Sequence, residues 1–361
     1  MTMISRTFGG VLMSAALAAL VISGCKDSPL IPDSINTALF DLNCPGRTAH
    51  FDNVDTFIVI GHRGAAGLEV ENTIPSFQLA INEGANAIEL DFCMTKDGHI
   101  VVWHDWDPND PIALVREQGI EFGSKYRPRF PGVDDEMRRP MHELTLEEFK
   151  ANYWYARKNL INKERVPVEI PTFVDFMEWA KNQPKLLYVF YDIKLPEDRA
   201  YLAGEMIGRM DSIVAAYNPT WRGVYITPNP SVWQNIGSIL RNAGLSFDVD
   251  LGGGTISEEY CSISSSKYAR DRGNGFATTM HPFAWTERPW TTLKNLLYCD
   301  LLVRDAEPAE GQTRVVEKVI AATINDEEKM RCLVELGIDG LMTDDPGMLR
   351  RVAVEMGKFV Q

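Results

Sequence analysis

The chain has 361 residues, with 36 Lys and Arg against 50 Asp and Glu and a formal net charge of −14. That acidic balance excludes nucleic acid and polyanionic surfaces as the expected partner, since Lys and Arg would have to supply the counter-charge. Six cysteines are present, none paired at zinc-like spacing.

Residues 1–24 carry one charge, Arg6, followed by an uncharged run from Phe8 to Gly24 rich in Leu, Ala and Val, which is the anatomy of a secretion signal. The run is shorter than the ~20 residues of a spanning helix. It ends in Ile22-Ser23-Gly24-Cys25, which resembles the cleavage box of bacterial lipoproteins, so Cys25 is expected to be lipidated and to attach the protein to a membrane. Lys26 after that cysteine points, in a Gram-negative host, to the outer membrane. The expected location is therefore extracytoplasmic, in the periplasm or at the outer membrane of a bacterium. Residues 25–53, polar and punctuated by Pro29, Pro32 and Pro45, read as a tether. Of the remaining cysteines, at positions 44, 93, 261, 299 and 332, an odd number cannot all pair internally, and a Cys261–Cys299 disulfide suits an oxidising compartment.

Residues 54–361 suffice for one α/β barrel. Strands are expected at 57–61, 87–92, 100–104, 186–193, 223–227, 246–250, 318–324 and 338–343, and helices at 74–84, 172–182, 197–216, 231–243 and 326–336. Eight strands alternating with helices predict a TIM (β/α)8 barrel. Two long segments break the alternation: a charged, proline-rich insert at about 106–170 after the third strand, and 251–317 with Gly252-Gly253-Gly254, Trp285 and Trp290. Long loops in compact domains are usually functional covers or disordered inserts.

Side chains two apart on a strand point the same way. Ile88, Leu90 and Phe92 claim the helix-facing side of their strand, which turns Glu89 and Asp91 inward. Leu187, Val189, Tyr191 and Ile193 do the same for Asp192 and Lys194. His62 follows Ile58 and Ile60 at the end of the first strand, and His104 ends the third. These polar groups converge on the C-terminal mouth, where this fold keeps its chemistry. Clustered carboxylates stay ionised only around a cation, and an all-oxygen donor set suits one hard divalent ion, Mg²⁺ or Ca²⁺. Such an ion would grip a phosphate oxygen, Lys194 and Arg63 could hold the others, and His62 and His104 could exchange protons near neutral pH.

Gly61 to Asp105, GHRGAAGLEVENTIPSFQLAINEGANAIELDFCMTKDGHIVVWHD, resembles the N-terminal signature of glycerophosphodiester phosphodiesterases, with HRG, ENT, ELD, TKDG and HD in order. DGLMTDDP, Asp339 to Pro346, resembles the closing strand of the same family. The resemblance implies that His62 and His104 are the catalytic pair, that Arg63 and Lys194 contact phosphate, and that Glu89, Asp91 and Asp192 bind the metal. It also implies a small-molecule substrate, a deacylated phospholipid hydrolysed to glycerol 3-phosphate and an alcohol. Two positions depart from the family pattern. Asp192 stands where glutamate is usual, a feature similar to sphingomyelinase D-type phospholipases, and Ala322 precedes Thr323-Ile324-Asn325 where tryptophan is often found. Phospholipase D-type cleavage of lyso- or sphingolipids and a non-catalytic surface lipoprotein are the alternative readings. An apolar groove in the insert would favour the lipid substrate, a polar cover the smaller one.

Overall fold

The computed structural model describes residues 56–361 apart from 122, 159–163, 228, 230, 233–234, 236–247, 251–264, 267–268, 270–274, 281–286 and 306–315. Cys25, the tether, Cys44, Cys261, His281 and Trp285 lie outside the described residues.

β1 (Ile58–Gly61) leads through α1 (Ile74–Asn82) into β2 (Ala87–Met94). Thr73 caps α1 by accepting from the Ser76 N–H, and Pro75 in the first turn costs no intrahelical bond. β2 doubles back as β3 (Ile100–Val102), and the insert follows with α2 (Pro111–Glu117), β4 (Tyr126–Arg129), α3 (Leu146–Asn152) and β5 (Trp154–Arg157). The barrel resumes with α4 (Phe173–Ala180), β6 (Tyr188–Ile193), α5 (Ala203–Tyr217), β7 (Arg222–Ile226), β8 (Asp248–Asp250) and β9 (Phe276–Met280). It ends with α6 (Glu287–Asp305), β10 (Lys318–Ala322), α7 (Glu327–Leu336), β11 (Gly340–Thr343) and α8 (Pro346–Glu355).

The barrel strands run in the order β8-β7-β6-β2-β1-β11-β10-β9, and each neighbouring pair is parallel. β8 and β9 come into contact at the ends of this order, so the sheet nearly closes. Alternation sorts the side chains. Val59, Ile88, Leu90, Val189, Tyr191 and Leu341 face the helices in the main core. Ile58, Ile60, Ala87, Phe190, Val224, Phe276, Ile320 and Met342 fill the barrel interior, each fully buried large side chain contributing ~1.5–3 kcal/mol. The fold is the expected (β/α)8 barrel.

One expected stave is something else. β3 pairs antiparallel with the outer half of β2, Phe92 opposite Val102 and Met94 opposite Ile100, and is not part of the barrel. The Thr95–His99 connection is far shorter than the dozen residues a parallel crossover needs, a length visible in the sequence. The stave that completes the barrel is β9, inside the segment expected to be a long loop. Its outward Thr279 is satisfied by Asp300 of α6, so its polar residues conceal a buried strand.

The insert is ordered in its own right. β4 and β5 form a two-stranded ribbon, and Trp103 packs at 4.9–6.3 Å between ring centroids against Phe130, Phe149, Tyr153 and Tyr155. Cys299 and Cys332 each take part in a disulfide, whereas Cys93 is a buried free thiol.

Candidate active site

After β1 the chain turns through Arg63 (φ 51°) and Gly64 (φ 87°). A Cβ on Gly64 would lie 2.4 Å from the Ser76 hydroxyl oxygen, so glycine alone lets this turn pack on α1. The turn points His62 at the mouth. Its Nδ1 lies 2.6 Å from Asp344 Oδ1 and its Nε2 lies 4.0 Å from Glu89 Oε2. Asp344, just past β11, is held by the Asn325 amide and donates its own N–H to Asn325 Oδ1 at 2.8 Å.

Glu89 and Asp91 project from β2 and Asp192 from β6, whose register sets Asp91 opposite Asp192. One ligand oxygen from each of the three lies within 4.8 Å of the others, and all three residues are buried. Glu89 Oε2 accepts from the Arg63 N–H at 2.8 Å, and Asp91 Oδ2 accepts from Asn72 Nδ2 at 2.6 Å. Lys194 Nζ donates to Asp192 Oδ2 at 2.6 Å and lies 3.0 Å from Asp91 Oδ1, the latter a charge contact rather than an aligned hydrogen bond. Glu89 Oε1, Asp91 Oδ1 and Asp192 Oδ1 are all buried without a hydrogen-bond partner. Natural interiors rarely leave such atoms unsatisfied. Three inward oxygens from two adjacent strands fit a hard cation's donor set.

His104 arrives by a route other than the one expected. The returning β3 strand is pinned where the Trp103 N–H donates to Asp91 O at 3.0 Å, and His104 follows at once. Its Nδ1 lies 2.8 Å from Asp105 Oδ1. Arg116 of α2 donates through Nε to both Asp105 oxygens, at 3.0 and 3.1 Å, and reaches Glu71 and Glu121 through its other nitrogens. Arg63 meets the same acids from the opposite side, Glu71 at 2.9 Å and Glu121 at 3.1 Å, and Asp91 at 3.1 Å. His62, Arg63, Glu89, Asp91, Asp192 and Lys194 are thus in direct contact, while His104 joins them through Asp105, Arg116 and Glu71. Ala322, where the family often has tryptophan, is a small buried side chain in the barrel interior.

The electrostatics differ from group to group. Three fixed cations, Arg63, Arg116 and Lys194, face seven carboxylates, Glu71, Glu89, Asp91, Asp105, Glu121, Asp192 and Asp344. Burial and the neighbouring Asp91 charge push Glu89 up to about 8. Burial acts on Asp91 in the same sense, yet Lys194 and Arg63 outweigh it and hold that carboxyl well below the usual range. Burial and the Arg63 charge oppose protonation of His62, but Asp344, seconded by Glu89, prevails and raises its pKa. Burial lowers that of His104, aided by the Arg116 and Arg63 charges. The two imidazoles are therefore set in opposite directions.

Sequence reasoning singled out neither Asp344, Asp105 and Arg116 nor Glu121 and Asn325. The HD pair and the DDP motif held two of them in plain view. Arg116 and Glu121 lay in an insert whose fold no local pattern announces.

Residues 62–236 match the model of the glycerophosphoryl diester phosphodiesterase family. A glycerophosphodiester phosphodiesterase of Bacillus subtilis is 32% identical over 124 residues, 29% of this chain and 41% of that protein, and YhdW of the same organism is 43% identical over 101 residues, 25% and 40%. The chain thus spans about two fifths of the length of these two relatives. A solved structure from Silicibacter pomeroyi superposes with a TM-score of 0.60 at 20% identity, covering 85% of this chain and 96% of that one. An Oleispira antarctica phosphodiesterase, solved with the product sn-glycerol-3-phosphate, gives 0.53 at 17% identity, covering 82% and 96%. Residues 62–236 thus carry the match to the glycerophosphoryl diester phosphodiesterase family, and the barrel has the fold of these solved structures.

Proposed function

We propose that the barrel mouth hydrolyses a glycerophosphodiester to glycerol 3-phosphate and an alcohol, with one divalent cation, Mg²⁺ or Ca²⁺, held by Glu89, Asp91 and Asp192. The observation that carries this reading is the set of three buried carboxylate oxygens without a hydrogen bond on one patch of the barrel wall. When bound, the cation supplies Lewis-acid polarisation of a phosphate oxygen. Lys194 and Arg63 are the cations available to the remaining phosphate charge, although Arg63 must then exchange one of its carboxylate partners. His62 and His104 share the protons, one taking a proton from the attacking nucleophile while the other gives one to the leaving alcohol.

The insert supports a small polar substrate over an acyl chain. The residues it sends to the site, Arg116, Glu121 and Tyr155, are all polar. The product in the Oleispira antarctica structure is the phosphate monoester this reaction would release. Phosphorus NMR on the full chain with glycerophosphocholine, glycerophosphoinositol and lysophosphatidylcholine, with and without chelator, tests the reading. Glycerol 3-phosphate is expected only with metal and is lost in His62→Ala. Lysophosphatidic acid would instead favour the phospholipase D-type reading, and inertness toward all three would defeat both.

The proposal extends to location: an extracytoplasmic protein anchored through a lipid on Cys25. The disulfide-bonded Cys299 and Cys332 support an oxidising compartment, and the cleavage box before Cys25 supports the anchor. Cys25→Ala should move the protein from the membrane to the soluble fraction.

A further inference from the structure

We infer that Arg116, carried on the insert helix α2, is a positioning residue that fixes the ring of His104 through Asp105. The inference rests on the hydrolytic reading above and adds a task for the insert beyond covering the mouth.

α2 is a short helix with little apolar reason to sit where it does. Ile112 is 66% exposed and Val115 45%, while the inward face consists of Ala113, Arg116 and Glu117. The contacts between this helix and the site therefore run largely through a buried guanidinium, and burying one is costly unless its donors are all used. They are used as a fork. Nε spans both oxygens of Asp105 at 3.0 and 3.1 Å, Nη2 meets Glu71, and Nη1 meets Glu121 Oε2 at 2.7 Å. A lysine ammonium has no such planar array.

Asp105 Oδ1 takes the Arg116 Nε donor and also lies 2.8 Å from His104 Nδ1. A carboxylate kept anionic by a guanidinium N–H shared between its two oxygens only accepts hydrogen bonds, so the proton of neutral His104 resides on Nδ1 and Nε2 is left with its lone pair for chemistry. Glu71 then couples this arm to Arg63, because both guanidinium groups donate to it. The tautomer and orientation of one catalytic imidazole are thus set by a side chain outside the barrel.

The test uses the full chain, saturated with Mg²⁺ and acting on glycerophosphocholine. In Arg116→Gln, kcat should fall about 10- to 100-fold, the usual loss for an outer-shell partner, while KM stays within about threefold. The ¹⁵N spectrum of the His104 ring should change from one tautomer protonated at Nδ1 to a mixture. Asp105→Asn leaves Arg116 and Glu71 in place and carries the same expectations should Arg116→Gln fail to fold. A wild-type kcat, a loss confined to KM, or an unchanged His104 tautomer in the folded variant overturns the inference. If the wild-type chain releases no glycerol 3-phosphate, the parent reading fails instead, and the tautomer measurement still decides the part played by Arg116.

Discussion

Two sets of buried carboxylates lie at the barrel mouth, and the protein treats them in opposite ways. Glu71, Asp105 and Glu121 are shared out between Arg63 and Arg116. None of their oxygens is buried without a partner. Glu89, Asp91 and Asp192 face inward from β2 and β6 with Lys194 as their nearest ammonium, and each keeps one oxygen without a hydrogen bond. Residue type does not distinguish the sets. Unused lone pairs do: a satisfied acid stabilises its surroundings, and an unsatisfied one stores electrostatic energy that a bound cation can release.

Removing a member of the unsatisfied set should separate activity from stability most sharply. Glu89→Gln takes away a proposed metal ligand but also relieves repulsion from Asp91 and Asp192. Turnover of glycerophosphocholine should fall by more than about 10²-fold, and thermal melting of the metal-free protein should be no lower than wild type. A clearly lower melting temperature would mean that the triad is structural. The satisfied set should behave in the reverse manner. Arg63→Met takes one cationic partner from each of Glu71, Glu121 and Asp91 and should cost about 3–5 kcal/mol in denaturant unfolding, whether or not metal is present.

A smaller effect concerns pH. The native Glu89 carboxyl titrates near about 8 against an ordinary value of 4.5, so between those limits the metal-free native state holds a proton that the unfolded chain has released. Stability from this group is full below 4.5 and is lost as the pH rises toward 8. The melting temperature of the metal-free protein should therefore drop by roughly a few degrees across that window, and the slope should flatten in Glu89→Gln. Added Mg²⁺ should stabilise more at the alkaline end, where it displaces no proton. The smallest change is expected at the rim. Glu121 serves both arginines, but its side chain is 30% exposed, and Glu121→Gln should cost about 1 kcal/mol or less.

The sequence disclosed the triad more fully than its surroundings. The alternation of Ile88, Leu90 and Phe92 with Glu89 and Asp91 has one solution on a barrel wall, and the β2–β6 register brings Asp192 beside them. α1, α4 and α7 were legible as helices at 74–84, 172–182 and 326–336, and the structure caps them with Thr73, Thr172 and Asp326. The arginine network was not legible, because α2 and the β4–β5 ribbon owe their places to contacts made at long range. Pro128 inside β4 makes that segment read as a loop, and only its pairing with Tyr155 gives it a strand's geometry. β9 was missed because Thr278 and Thr279 read as surface residues, whereas both are buried and the Thr279 hydroxyl is hydrogen-bonded to Ser265 and Asp300.

The hairpin between β2 and β3 bears on how the proposed activity could be lost. Glu89 and Asp91 belong to the outgoing arm, which the barrel clamps on both sides, whereas His104 depends on the returning arm and therefore on the count of residues in Thr95–His99. Neighbouring residues of a strand face opposite ways, so one inserted residue there would rotate the imidazole away while every acid stayed put. A lineage could thus lose the proposed hydrolysis through a single codon, with its barrel and its acidic triad intact.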